Sequence, residues 1–348
     1  MAIKAIKPTL PYAYARVSAM KSKLIDRGKY QKLLKMDLNS ITRFLQETEY
    51  KESITELSAN FSGIELVDQA LNDNTVKTFN KLRSISPDDV VEVINLYLCR
   101  WDYENLKIVL RGLFSNSKKE EIMDLIVDIG QFDKEHFARL FDTSSIKEAL
   151  VNSELVTEEE IMESYENFKE TSNLIELENT LDKINFKKAV EGASSCPKKG
   201  MVFKRFLLRD IDNINVKNLI RFKKEGMEPS EILNYMIESG FKLDKATLEK
   251  LSEKESVDLL LEELDKTFYG KFISFIDHKD DLYGIEVALQ NMNLKSSILK
   301  THQIPLTIAA VLNFMLSKMI EIRNLRSIVK SKHLGIDEDY VEKKLLVI

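Results

Sequence analysis

The chain has 348 residues, 44% hydrophobic and 31% charged, which is too long for one simple core and ample for several. Its 51 basic and 56 acidic residues leave a net charge of −5, so a nucleic-acid binder would lack bulk electrostatic support. Glycine (11) and proline (6) are scarce, which favours helices, and the isolated Cys99 and Cys196 show neither metal nor redox spacing and suit a reducing compartment.

The chain opens Met1-Ala2-Ile3-Lys4-Ala5-Ile6-Lys7-Pro8, without the apolar core of a signal peptide. Tyr12 to Arg27 reads as a first helix, with Ala19-Met20-Lys21 at the place that a recurring triplet takes later. Ile64-Glu65-Leu66 starts a further helix. Ser86-Pro87-Asp88 then signals a long one, about 25 residues, on which Val90, Ile94, Leu98, Trp101, Leu106, Val109, Leu110 and Leu113 share a face. It carries Asn105-Leu106-Lys107. A short helix from Glu120 to Ile129 ends at Gly130, read as a left-handed cap, and another begins near Asp133. Thr157-Glu158-Glu159-Glu160 reads as a capped, solvated helix start.

The pattern then returns. Ile175-Glu176-Leu177 starts a helix, and Gly192-Ala193-Ser194-Ser195-Cys196-Pro197 reads as a linker. A long helix from Gly200 to Lys224 carries Asn215-Val216-Lys217. Ser230 to Ser239 ends at Gly240, and Asp244 opens the next helix. Ile285-Glu286-Val287 follows, then Pro305 to Lys330 with Asn324-Leu325-Arg326. The three sets of anchors (Pro87, Pro197, Pro305; the asparagine triplets; the Ile-Glu starts) recur at intervals of 108 to 111 residues. Solenoid repeats are shorter, roughly 30 to 47 residues, so these are domain-sized units. Their circular offset joins residues 1–86 and 305–348 into one domain, beside 87–196 and 197–304, and predicts neighbouring termini. The expected fold class is all-α. Ile304 to Leu316 is apolar, but at 13 residues it falls short of the roughly 20 needed to span a bilayer, and reads as a buried helix.

Little of the sequence points to catalysis. His136, His278, His302 and His333 have no histidine or cysteine at i+3 or i+4, phosphate-binding glycine loops are missing, and no serine or cysteine has a nucleophile context. No catalytic, cofactor-binding or metal-binding residue is assigned. The basic residues of the repeated motif are the candidate site: Arg100, Lys107 and Arg111; Lys217 and Arg221; Arg323, Arg326 and Lys330. They suit a grip on an acidic partner. Structural ion pairs with Glu65, Glu176 and Glu286 are the favoured reading, because those glutamates recur with them.

Several segments resemble one family. Tyr12-Ala13-Tyr14-Ala15-Arg16-Val17-Ser18-Ala19-Met20-Lys21-Ser22-Lys23-Leu24 is similar to the N-terminal signature of the C subunit of A-type/V-type ATP synthases, whose counterpart in eukaryotic V-type ATPases is called the d subunit. Thr42-Arg43-Phe44-Leu45-Gln46-Glu47-Thr48-Glu49-Tyr50, the stretch from Trp101 to Gly112 and the stretch from Glu321 to Lys330 resemble its later landmarks. The resemblance implies three similar helical domains around a pseudo-threefold axis, forming a funnel. It implies a non-catalytic rotor component without cofactors, peripheral on the cytoplasmic face of the membrane. Its partners would be the D and F axle subunits and the membrane rotor ring of small proteolipid subunits, with no nucleic acid and no lipid span of its own. Torque would pass through it between ion translocation and ATP synthesis or hydrolysis. A generic helical cytosolic adaptor and an enzyme with a carboxylate site between domains are the competing readings.

Overall fold

The computed structural model describes residues 8–196, 200–273, 284–285, 287–292 and 307–346; Pro197, Pro305, Glu286, His278 and His302 lie outside them. Among the described residues every regular element is a helix, and the chain is all-α. It divides into two compact units: Met1–Val90 with Lys254–Ile348, and Val91–Glu253.

The first unit begins with α1 (Leu10–Lys21), α2 (Arg27–Leu34), α3 (Leu38–Leu45), α4 (Lys51–Leu57) and α5 (Gly63–Ile85). The long α6 (Asp88–Phe114) starts at the predicted Pro87 signal and continues into the second unit. There it is followed by α7 (Lys119–Met123), α8 (Lys134–Phe141), α9 (Ile146–Asn152), α10 (Glu158–Thr171), α11 (Leu174–Ser195), α12 (Gly200–Lys224), α13 (Pro229–Asn234) and α14 (Lys245–Ser252). The chain returns to the first unit with α15 (Val257–Asp265), α16 (Gly270–Ile273), α17 (Ile308–Leu334) and α18 (Glu338–Lys344).

One local plan is written three times. Asp133 and Asp244 cap α8 and α14 by accepting the amides of His136 and Thr247, and Asp26 caps α2 in the same way through Lys29. Ser145, Ser256 and Asp37 then cap α9, α15 and α3. The hydroxyls of Ser153, Thr267 and Thr48 close those helices by donating to the carbonyls of Leu150, Leu264 and Leu45. Thr157 and Glu160 form the expected capping box at α10.

The asparagine of each triplet is a backbone clip. Asn105 Nδ2 donates to the Val127 carbonyl (2.9 Å), and the Val127 amide donates back to Oδ1 (3.1 Å). Asn215 holds Ile237 in the same manner (2.8 and 2.9 Å), and Asn324 holds Leu346 (2.6 and 3.1 Å). The interval is 22 residues each time. A residue whose amide and carbonyl are both taken by a side chain cannot continue a helix. That is why α7 stops at Met123 and α13 at Asn234, before the expected Ile129 and Ser239.

Three residues before each clip stands a carboxylate. Asp102 accepts the amides of Gln131 (2.8 Å) and Phe132 (3.2 Å), Asp212 that of Lys242 (2.7 Å), and Glu321 that of Ile25 (2.6 Å). This corrects the reading of Gly130 and Gly240. Neither is among the positive-φ residues. A Cβ on Gly130 would fall on the Asp102 carboxylate, and one on Gly240 on that of Asp212, so space rather than handedness demands glycine.

Two other expectations change. The stretch Gly192 to Ser195 is the last turn of α11, not a linker; a Cβ at Gly192 would strike Leu96. And α1 ends at Lys21, so Ala19-Met20-Lys21 is a helix terminus, whereas the asparagine triplets lie within long helices.

The core of the first unit mixes both ends of the chain: Tyr30, Leu33, Ile41, Leu45, Ile54 and Leu71 pack with Ile322, Leu325, Ile328 and Val341. In the second unit Leu106, Val109, Phe137, Leu140, Leu150 and Leu181 form one cluster. Each such side chain contributes roughly 1.5–3 kcal/mol on burial. Among the described residues no helix is long and apolar enough to cross a membrane.

Candidate functional site

The eight basic residues meet different fates. On α6, Lys107 is 7% exposed, and its Nζ donates to Asp182 (2.7 Å) and Glu104 (2.9 Å). Burial alone would lower its pKa; the two carboxylates outweigh that and hold the ammonium above its usual value. One turn on, Arg111 makes a two-pronged pair with Glu178, Nε and Nη2 each at 2.6 Å. The pairs 107–182 and 111–178 run in opposite numerical directions, an antiparallel ladder of i,i+4 cations facing i,i+4 acids. Arg100 pairs with Asp210 (3.6 Å) and lies over the rings of Tyr97 and Trp101. Burial raises the Asp210 carboxyl, while Arg100 and Lys217 pull it back.

In the first unit, Arg326 bonds Asp68 (3.2 Å) and Asn72, both on α5, and Arg323 bonds Gln290. Lys330 is exposed. On α12, Lys217 is half-buried, and Arg221 has Glu225 at 3.9 Å, the Phe222 ring beneath it and Tyr235 near enough to feel its charge. The structural pairing therefore exists for Lys107, Arg111 and Arg326, but with Asp182, Glu178 and Asp68 rather than the expected Glu65 and Glu176. Glu176 instead accepts from Asn167.

A second cluster was not visible in the sequence. Lys318 and Glu321, each 3% exposed, meet Tyr50 from α4's edge. Lys318 Nζ donates to the Tyr50 hydroxyl (2.9 Å) and to Glu321 Oε1 (2.8 Å), and the Tyr50 hydroxyl donates to the same Oε1 (2.7 Å). Glu321 Oε2 holds the Ile25 amide, so every strong group is satisfied within the cluster. Only the i,i+3 spacing of Lys318 and Glu321 is legible in sequence; the tyrosine lies 271 residues from Glu321.

No group of metal-ligating side chains occurs among the described residues. A cleft of about 180 Å³ in the first unit is lined by Met20, Lys23, Glu49, Ser53, Lys77 and Phe314. A larger groove of about 820 Å³ in the second is floored by Phe186, Val190, Ile211, Leu233 and Leu248. In the first, Lys23 pairs with Glu49 (2.8 Å) and Lys77 with Glu52 (3.1 Å).

Fold and site together define an all-helical protein whose buried polar chemistry holds helices in register, with basic side chains at its surface. A family model described as ATP synthase (C/AC39) subunit matches residues 13–344. The C subunit of the A-type ATP synthase of Methanosarcina barkeri is 35% identical over 97% of this chain and 93% of its own length. Those of Methanococcoides burtonii and Haloferax volcanii are 33% and 30% identical, each over 97% of this chain and over 94% and 97% of their own. The chain belongs to the ATP synthase (C/AC39) subunit family.

Proposed function

We propose that this protein is the non-catalytic central-stalk rotor component of an A/V-type ATP synthase. It couples the D and F axle subunits to the membrane ring of small proteolipid subunits, and transmits torque between ion translocation and ATP synthesis or hydrolysis. It is peripheral, at the cytoplasmic face of the membrane. Residues 1–86 with 305–348, 87–196 and 197–304 form three helical domains about a pseudo-threefold axis, as a funnel. The observation that carries this reading is the family match across residues 13–344, with relatives named as the C subunit of A-type ATP synthases.

Two features support it physically. A torque coupler must be stiff, and each asparagine clip ties a long helix to the loop 22 residues on through two hydrogen bonds. It also needs surfaces rather than a reaction centre, and the basic motif offers partner-facing charge at Arg221 and Lys330. The test is purification of the native complex in mild detergent. Axle and ring proteins are expected with this chain, and membranes lacking it should hydrolyse ATP without moving ions. Isolation without those proteins, with coupling intact in its absence, would refute the reading.

A further inference from the structure

The turn between α17 and α18 carries three large apolar side chains in the open. Leu334 is 69% exposed, Ile336 41% and Tyr340 55%, and every residue from His333 to Tyr340 is exposed. Single exposed apolar residues are ordinary on a protein surface, whereas three within seven residues mark a contact. The fold does not need them. Three turns in the chain close alike: the amides of Ser117, Met227 and Ile336 donate to the carbonyls of Gly112, Phe222 and Ser331 (3.0, 3.0 and 2.9 Å), after a left-handed Asn116, Gly226 or Gly335. The first of them does so with Ser115 and Ser117 where the last has Leu334 and Ile336. In such a helix end the residue at the place of Ile336 usually packs on the one whose carbonyl it bonds. Here that one is Ser331, which offers no apolar surface.

We infer that this turn docks into an apolar cup edged by lysine or arginine on a partner protein; this rests on the reading that the chain works by holding partner proteins. Charge decides the edge. Residues 333–340 hold Asp337, Glu338 and Asp339 and no lysine or arginine. Lys332 neutralises Glu338 (2.5 Å), and Asp337 caps α18 by accepting the Tyr340 amide (3.1 Å). Among the described residues no cation pairs with Asp337 or Asp339, so basic groups on the partner complete them. A lipid surface does not fit. Leu334, Ile336 and Tyr340 cannot enter it together without carrying the carboxylates between them along.

The experiment tags the full chain in its own cells and isolates it in mild detergent. Wild type is compared with Leu334→Ser plus Ile336→Ser, which copies the Ser115 and Ser117 turn, and with Leu125→Ser, a lone apolar residue 57% exposed. The double variant should melt as wild type does, and one associated protein should fall about tenfold in yield. Leu125→Ser should keep that protein. A benzophenone amino acid in place of Leu334 should photolink to the same protein, at a peptide with apolar and basic residues. That link decides the matter should the double variant misfold. Unchanged yields for the double variant, equal loss in the control, a link to lipid or to an acidic peptide, or no link at 334 would overturn the inference. The rotor reading fails separately. A link at 334 to a protein that is neither axle nor ring sinks that reading and leaves this inference standing; axle and ring without any link at 334 do the reverse.

Discussion

The clip at Asn215 gives the sharpest test of how the repeats are held. Asn215 is fully buried and Ile237 is 5% exposed. Asn215→Ala removes the partner of both the Ile237 amide and its carbonyl, which lie 2.9 and 2.8 Å from the asparagine side chain. An orphaned buried backbone group costs roughly 1–3 kcal/mol, so the pair costs about 4 kcal/mol in all. At Asn105 the same substitution should cost about 2 kcal/mol, because Val127 is half-buried and water can replace part of the loss. Urea unfolding followed by circular dichroism reads the ranking, and amide hydrogen exchange localises it to residues 235–239 in one variant and 125–129 in the other. If Asn215→Ala lost less than about 1 kcal/mol, or Asn105→Ala lost as much as Asn215→Ala, the clips would not be what holds these loops.

Other expectations follow from the same geometry. Gly130→Ala and Gly240→Ala should each lower stability by about 2–3 kcal/mol, since the new Cβ meets a fixed carboxylate; Gly226→Ala, with φ +74° and open space, should cost nearer 1 kcal/mol in thermal unfolding. Lys107→Met should cost about 2 kcal/mol, tempered because Asp182 is 37% exposed, and adding Asp182→Asn should recover about half; Arg221→Met should stay within about 0.5 kcal/mol. Burial, with the Asp102 charge beside it, pushes the Cys99 thiol up to about 12. Iodoacetamide near neutral pH should therefore modify Cys99 only on unfolding, as intact mass would show. The unfolded thiol ionises near 8.5, so this residue should make stability fall as pH rises from there towards 12. Cys99→Ser should flatten that slope.

Much of this plan was legible because it is written in side chains that recur. Pro87, the asparagine triplets and the aspartates 133 and 244 are the same letters at one period, and each has the local role its chemistry implies. What the asparagines grip was not legible, since Val127, Ile237 and Leu346 are held through their backbones and carry no signature of it. Gly130 and Gly240 misled because glycine has two uses, positive φ and missing volume, and only the carboxylate overhead tells them apart. The partner acids were missed because Asp182, Glu178 and Asp68 hold no common register; pairing depends on helix rotation, which the period does not encode. The change from Asp102 and Asp212 to Glu321 was hidden for a related reason. Its amide partner, Ile25, lies 296 residues away, across the break in the circular pattern.

That break sets a timetable for synthesis. The core around Tyr30, Leu45 and Leu71 is completed by Ile322, Leu325 and Val341, which leave the ribosome some 250 residues or more later. The unit from Val91 to Glu253 has all its residues much earlier. A growing chain therefore carries a finished middle between an open beginning and a missing end, and the apolar faces of α2 to α5 wait uncovered until α17 emerges. Translation that stops short of α17 yields a molecule that is half built however sound its centre, and those waiting faces are what a chaperone or protease would recognise.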